Sequence, residues 1–198
     1  MLGFAAPLVL ASGSPRRREL LSGAGLRFAV RPADIDETPL PGEAPANYVR
    51  RLSIEKTDAS MASPLASPVE IVLAADTTVD VNGEILEKPL DADDAFRMLR
   101  MLSGRSHLVH TGVTVSVPIA GVRRSSTIVV TTEVTFADLE DAAIDWYLET
   151  GEAMDKAGAY GIQGAAGAFV EKINGSVTNV IGLPLAETLR LLRDATSA

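Results

Sequence analysis

Cysteine is absent from this sequence of 198 residues. The absence excludes disulfide bonds, zinc ribbons, iron–sulfur clusters and thiol nucleophiles, so any metal has to bind oxygen or imidazole ligands. An apolar core has to hold the fold instead, and a hydrophobic content of 46% is sufficient for one. A chain without cysteine also fits a reducing compartment, and we expect a cytoplasmic protein.

Positive charge is scarce, because 18 lysines and arginines face 26 acidic residues and give a formal net charge of -8. Such a surface repels polyanions, so we expect no extended nucleic acid as a partner. The densest basic cluster is Arg16-Arg17-Arg18. Three charges suit a small anion such as a triphosphate better than a duplex.

Long hydrophobic runs are also lacking. The opening Met1 to Ala11 is apolar, but it is too short to span a bilayer and lacks the basic residues with which a secretory signal begins. Its second half, Pro7 to Ala11, is typical of a buried first strand. We therefore expect no membrane partner.

Hydrophobic periodicity predicts an α/β chain in which strands and helices intermix. Neither an internal repeat nor a domain boundary is found, so residues 1–198 are predicted to form a single domain. Residues 151–184 are glycine-rich and weakly periodic, which is typical of a functional loop region. The predicted strands are 7–11, 28–30, 71–75, 78–81, 84–86, 108–117 and 127–136, and the predicted helices are 16–24, 46–60, 91–102, 140–149 and a last helix from 184.

A candidate phosphate site follows the first strand, in Ser12-Gly13-Ser14-Pro15-Arg16-Arg17. Free backbone N–H groups and the helix dipole favour an anion where a loop enters a helix, and hydroxyls and arginines can bind its oxygens. An ordinary capped helix with solvated arginines is the alternative. The spacings of the P-loop and of the dinucleotide-binding glycine motif are both missing, which weakens ATPase and dinucleotide interpretations.

Lys56 is predicted to point inward, since it follows Val49 and Leu52 on the apolar stripe of the helix 46–60. An anion site would explain a lysine there, although an isolated lysine more often extends its charge back to the surface.

Asp76 follows the apolar run Ile71 to Ala75. This pattern predicts a carboxylate at the end of a central strand, where ligand-binding groups collect in open α/β sheets. A carboxylate in that position suits metal binding or water activation, and a turn aspartate bound to its own backbone is the alternative.

Two further charged residues and two histidines complete the candidates. Lys88 lies near an expected sheet end and Glu37 lies in an acidic loop, and each alone resembles ordinary surface charge. His107 and His110 have no metal-binding spacing, so structural roles are predicted for them.

Taken together, these residues resemble the Maf family of nucleotide pyrophosphatases over nearly the whole chain. Local variants at Thr78-Val79-Asp80 and Ser176-Val177-Thr178 depart from the common pattern outside the charged residues. The motifs that carry the resemblance are Ala11-Ser12-Gly13-Ser14-Pro15-Arg16-Arg17, Glu55-Lys56, Ala75-Asp76-Thr77, Glu87-Lys88-Pro89, Leu102-Ser103-Gly104, His110-Thr111-Gly112-Val113, Asp155-Lys156-Ala157-Gly158-Ala159-Tyr160-Gly161-Ile162-Gln163-Gly164 and Gly182-Leu183-Pro184-Leu185.

The resemblance implies a two-lobed fold of the Maf and ITPase type around a long twisted mixed sheet, with a nucleotide in the cleft between the lobes. It implies a divalent cation, Mg²⁺ or Mn²⁺, and Asp76 as general base. Our hypothesis is that Asp76 also holds the metal, with Glu37 as a second ligand. The residues implied around the triphosphate are Ser12, Ser14, Arg16, Arg17, Lys56 and Lys88, and those associated with base choice are Arg16, Thr77 and Gln163.

The segment 155–164 resembles the branch of the family that acts on dTTP and UTP. We therefore expect hydrolysis of a pyrimidine nucleoside triphosphate, canonical or modified, to the monophosphate and pyrophosphate. Two alternatives stay open, namely a house-cleaning pyrophosphatase for ITP or XTP and a non-enzymatic regulator of cell division. A homodimer is compatible with the resemblance.

Overall fold

The structure is a computed structural model that describes residues 6–197. Met1 to Ala5, the first half of the apolar opening, lie outside the described residues. Seven strands and six α-helices are present in the described part of the chain. They are β1 (Leu8–Leu10), α1 (Pro15–Gly23), β2 (Ala29–Val30), α2 (Pro45–Ala62), β3 (Ile71–Val81), β4 (Glu84–Leu86), α3 (Ala92–Leu102), β5 (Ser106–Ile119), β6 (Val122–Phe136), α4 (Asp141–Glu149), β7 (Val170–Asn174), α5 (Val177–Ile181) and α6 (Leu185–Thr196).

Most predicted elements are confirmed with shifts of one or two residues. Ser14 caps α1 with its side chain and Asp91 caps α3, as hydroxyl and carboxylate oxygens do at helix N-termini. The prediction for 151–184 was wrong in part, because this segment contains β7, α5 and two 3₁₀ turns, Ala157–Ala159 and Ala165–Phe169. Their shortness left too few residues for a periodic signal.

A mixed sheet with the order β2-β1-β3-β5-β6-β7 forms the centre of the fold, and β4 pairs with β3 outside this path. The pairs β1–β2 and β1–β3 are parallel, and the remaining pairs are antiparallel. The predicted α/β class with a long mixed sheet is thereby confirmed. None of the helices in the part of the chain described is long and apolar enough to cross a membrane.

One edge of β3 is only partly paired. β1 pairs with residues 71–73 of β3 and β4 pairs with residues 79–81, while β5 pairs with residues 72–80 on the opposite edge. Residues 74–78 therefore have no strand partner on the side of β1 and β4. The chain leaves β1 and β4 at this gap, since β1 runs parallel and β4 antiparallel to β3.

Two apolar cores lie on one face of the sheet, as the two-lobed expectation requires. Leu73 and Val113 belong to the core that α1 and α6 cover, whereas Val79 and Val109 belong to the core of α3 and α4. Between them the same face carries Thr77 and its cross-strand partner Thr111, whose hydroxyl oxygens lie 2.9 Å apart. The polar pair separates the two lobes.

The opposite face is covered by α2, which approaches the sheet closely at Gly112. A Cβ at this position would overlap the carbonyl oxygen of Val49 and lie 2.6 Å from its carbonyl carbon. Gly112 pairs with Asp76 in the register of β3 and β5, so the close contact brings α2 down onto the strand residue that carries the candidate carboxylate.

Substituting Gly112 by alanine should therefore force α2 away from the sheet. We expect the free energy of unfolding to fall by about 1–3 kcal/mol, as in other overpacked cores, measured by urea denaturation. Gly23→Ala is the matched control, because apart from the neighbouring backbone of its own helix no atom lies within 4 Å of its added Cβ. Equal stabilities of the two variants would contradict the close contact.

His107 gives the core a predictable pH response. It is 3% exposed, its Nε2 lies 2.7 Å from the hydroxyl oxygen of Tyr160, and burial lowers its pKa to about 4. Between pH 6.5 and 4 the unfolded chain binds a proton that the folded chain does not, so stability should fall with falling pH by up to about 3 kcal/mol. In urea denaturation, His107→Gln should respond less to pH than the unmodified chain; equal pH slopes would contradict this assignment.

Candidate active site

A cavity of about 610 Å³ opens at the unpaired edge of β3, between the loops that leave β1 and β4. Its walls come from both lobes and from α2. Every residue predicted to belong to the site lines this cavity, namely Ser12, Ser14, Arg16, Arg17, Glu37, Lys56, Asp76, Thr77, Lys88 and Gln163.

The loop after β1 forms the predicted helix entrance. The Ser14 side chain accepts a hydrogen bond from the backbone N–H of Arg17 at 3.4 Å, and Ser12 Oγ accepts one from the backbone N–H of Ser14 at 3.3 Å. The N-terminus of α1 thus faces the cavity with the positive end of its dipole, which favours phosphate. Its first residue, Pro15, has no N–H, and the N–H of Arg17 is bonded to Ser14.

Arg17 is buried and bonded within the protein, so it is not a solvated arginine. Its Nε donates to the carbonyl oxygen of Gly182 at 2.8 Å, and its Nη1 and Nη2 donate to the hydroxyls of Ser12 and Thr77 at 3.0 and 3.1 Å. Burial lowers the pKa of Arg17, yet an arginine stays protonated. The side chain ties α1, β3 and the turn after α5 together and keeps two of its five N–H donors for other partners.

Lys56 lies at the centre of the charged residues. Its Nζ is 2.6 Å from Asp76 Oδ1 and 2.8 Å from Glu37 Oε1. The side chains of Lys56 and Asp76 are each 9% exposed, whereas Glu37 is 46% exposed. The inward orientation of Lys56 is therefore confirmed, because its ammonium joins a buried carboxylate instead of returning to the surface.

The expected position of Asp76 at a strand end was wrong. Asp76 lies in the middle of β3, where it pairs with Gly112 of β5. The apolar run ends at Ala75, but the strand continues because β5 supplies hydrogen bonds and Lys56 neutralises the buried carboxylate. Asp76 still faces the cleft, since the partner strands on the other edge end there.

Two other cations border the cavity, of which one is ion-paired and one is not. Arg16 donates to Asp155 Oδ2 at 3.1 Å and to the carbonyl oxygen of Asp155 at 3.4 Å, which links α1 to the glycine-rich segment. Lys88 follows β4, is exposed, and forms no ion pair with any residue from 6 to 197. Lys88 is thus available to an incoming anion.

Gln163 lies on a tight turn at the opposite wall. The backbone N–H of Gly164 donates to the carbonyl oxygen of Gly161 at 3.0 Å, so the turn presents Gln163 near its tip with an exposed side chain. Amide groups can donate and accept hydrogen bonds at once.

Sequence reasoning missed Tyr48 as a cavity residue. Its hydroxyl oxygen lies 2.9 Å from the carbonyl oxygen of Glu37 and 3.3 Å from Glu87 Oε1. Burial and the nearby carboxylates raise the pKa of Tyr48, which keeps the hydroxyl protonated as a donor. A signal existed, because Tyr48 lies eight residues before Lys56 on the same helical stripe.

Asp155 and Lys156 were quoted only for the resemblance, but both also line the cavity. Lys156 Nζ donates to Asp155 Oδ1 at 2.6 Å. Burial raises the pKa of Asp155, but the hydrogen bond from Lys156 and the charge of Arg16 outweigh it, so the pKa of Asp155 is lowered.

Asp76 and Glu37 are the residues of the cleft that could hold a hard cation. Asp76 and Glu37 bring two carboxylates to one point, at the ammonium of Lys56. No group of three or more acidic or histidine side chains placed to hold a metal occurs within residues 6–197. A site with two carboxylates suits Mg²⁺ or Mn²⁺, since Mg²⁺ usually takes one or two protein carboxylates and completes its shell with phosphate oxygens and water.

Comparison with known proteins gives concordant matches. The model of the Maf-like protein family matches residues 7–195. A dTTP/UTP pyrophosphatase of Anaeromyxobacter dehalogenans is 58% identical over 188 residues, which cover 95% of this chain and 93% of that protein. Proteins of the same description from Myxococcus xanthus and Shewanella oneidensis are 53% and 50% identical, over 95% of this chain and 92% and 97% of their own lengths.

Among solved structures, the Ham1 protein of Staphylococcus aureus superposes with a TM-score of 0.45 at 18% identity, over 67% of this chain and 72% of that chain. A likeness of this size carries no argument. The family assignment rests instead on the model that matches 189 consecutive residues, from 7 to 195, and on relatives that share half or more of their residues over nearly their full lengths. The chain therefore belongs to the family of Maf-like proteins.

Proposed function

We propose that this protein hydrolyses dTTP and UTP to the nucleoside monophosphate and pyrophosphate. The observation that carries the proposal is the cluster of Lys56, Asp76 and Glu37 in a cavity that also receives the N-terminus of α1. Relatives that match nearly the whole chain are described as dTTP/UTP pyrophosphatases.

The triphosphate binds where N–H groups and cations converge. The loop 12–14 and the start of α1 offer backbone and hydroxyl donors, and Lys88 offers an unpaired ammonium on the other side of the gap. Lys56 lines the same cavity and contacts Asp76 there. Positioning and neutralisation of charge dominate the catalysis of phosphoryl transfer, so this arrangement supplies its main requirements.

Asp76 is the proposed general base. In the reaction the oxygen of a water molecule forms a bond to phosphorus, the bond to the pyrophosphate oxygen breaks, and the Asp76 carboxylate accepts a proton of the water. The hydrogen bond from Lys56 fixes the orientation of this carboxylate. Lys56 and Lys88 stabilise the negative charge that develops on the leaving pyrophosphate.

We further propose that Asp76 and Glu37 hold Mg²⁺ or Mn²⁺ together with the phosphates. Such a cation neutralises phosphoryl oxygens and lowers the pKa of bound water. Tyr48 supports this arrangement, because its contact with the carbonyl oxygen of Glu37 holds the loop that carries the second carboxylate.

The activity is tested by a panel of dTTP, UTP, CTP, GTP, ITP and XTP with Mg²⁺ and with Mn²⁺, scored by release of pyrophosphate. We expect dTTP and UTP to have the highest kcat/KM. Preference for ITP or XTP would replace the proposed substrates by those of a house-cleaning enzyme, and turnover of none would overturn the proposal.

Asp76→Asn should lower kcat at least ~100-fold, because the substitution keeps the shape of the side chain and removes its basicity and charge. The fold should persist, since an amide oxygen can still accept the hydrogen bond from Lys56. Asp58→Asn, at an exposed position of α2, is the control and should retain full activity. An Asp76→Asn protein with normal unfolding and unchanged kcat would show that another group is the base.

Gln163→Glu tests recognition of the base. The imide edge of thymine and uracil presents an N–H donor between two carbonyl acceptors, and a glutamate has lost the donor that an amide offers to such an acceptor. Sites built around a hydrogen-bonding edge discriminate by leaving wrong partners unpaired. We expect kcat/KM for dTTP and UTP to fall more than for CTP and GTP, whereas an equal loss for all four would contradict a role in base choice.

A further inference from the structure

Two charged side chains pack against the two glycines of the Gln163 turn. The turn runs from Gly161 to Gly164 and has no strand partner. A Cβ on Gly161 would lie 2.7 Å from Lys156 Cδ, and one on Gly164 would lie 2.7 Å from Glu152 Cδ. Both glycines thus leave room for a side chain that comes from outside the turn.

Glu152 makes the more specific contact. Its Oε2 accepts the backbone N–H of Ala165 at 3.1 Å, and its Oε1 lies 3.4 Å from the same nitrogen. Ala165 begins the 3₁₀ turn Ala165–Phe169, whose first N–H groups have no partner within the turn. The carboxylate therefore binds the backbone two residues after Gln163 and fixes where the tight turn ends.

Lys156 connects this contact to the other glycine. Its Nζ donates to the carbonyl oxygen of Glu152 at 2.5 Å, while its aliphatic stem covers Gly161. Both contacts involve Glu152. Its carboxylate binds the N–H that follows the end of the turn, and its carbonyl oxygen binds Lys156, which packs on Gly161 at the start of the turn. Glu152 itself does not line the cavity that contains Gln163.

We propose that Glu152 is a positioning residue for base selection, which acts on the substrate through Gln163. The inference rests on the proposed function. It adds that Glu152 sets the orientation of the Gln163 amide that recognises the base. A turn outside the sheet has few hydrogen bonds of its own, so a carboxylate bound to its backbone restricts the positions that the Gln163 side chain can reach. Misplacement by about 1 Å at a recognition group costs as much as ~100-fold in rate.

The test is a double-mutant cycle in which kcat/KM is measured for dTTP, UTP, CTP and GTP. Glu152→Ala should lower the ratio of kcat/KM for dTTP over CTP roughly 10- to 100-fold. In a Gln163→Ala background the same substitution should leave the ratio unchanged, because effects that pass through one residue are not additive. Glu152→Gln should restore most of the ratio, since its amide oxygen can still accept from Ala165.

Glu149→Ala is the matched control, since Glu149 is an exposed carboxylate at the end of α4. It should leave all four kcat/KM values unchanged. The positioning role is overturned if Glu152→Ala lowers all four values by one factor, or if it changes the ratio equally with and without Gln163. If the unmodified protein hydrolyses none of the nucleotides, both proposals are overturned. If it prefers dTTP and UTP but Glu152→Ala leaves the ratio of kcat/KM for dTTP over CTP unchanged, only this inference is overturned.

Discussion

Incomplete pairing along one edge of β3 determines where this protein can bind a ligand. β1 and β4 pair with the two ends of that edge and leave residues 74–78 free. A loop follows each of these strands at the gap. The loop 12–14 and Lys88, which are far apart in sequence, therefore lie in one cavity with Asp76. A β1 extended by three residues would pair with this edge and fill the cleft. The site therefore depends on the shortness of two strands as much as on the side chains around it.

The buried ion pair of Lys56 and Asp76 costs free energy of dehydration, so a gain in stability does not explain why it is present. Burying two charges requires removal of their water, and buried ion pairs often stabilise a fold no better than apolar residues of similar volume. The pair exists because Gly112 lets α2 lie against the sheet, where Lys56 reaches the strand. Arg16 is likewise held by Asp155. Lys156 also bonds to Asp155, so three of the cleft cations are held by carboxylates, which reduces the reorganisation that binding of a phosphate group would require.

The sequence was sufficient to predict elements and site residues whose cause is local. The helix that follows the loop after β1, the strand 84–86 and the inward orientation of Lys56 depend on residues that are close in sequence. The position of Asp76 within β3 was mispredicted because the continuation of a strand through polar residues depends on β5, more than thirty residues away. The bonds of Arg17 to Gly182 and Thr77 could not be predicted either, since they join residues that are 165 and 60 positions apart, respectively.

The elements that carry the site divide it into a rigid part and an adjustable part. Asp76 and Lys56 lie on the central strand and on the longest helix, whose positions are fixed by ladder hydrogen bonds and by two-sided packing. Gln163 lies on a turn that is held by side-chain contacts, chiefly those of Glu152 and Lys156. Phosphate chemistry is common to all nucleoside triphosphates and requires fixed geometry, whereas the base differs between them. Substitutions in such a turn alter the contacts to one part of a ligand without moving the strand, because few bonds connect the two. With the proposed phosphate site on the strand and α2, the same framework can serve different bases while that site stays unchanged.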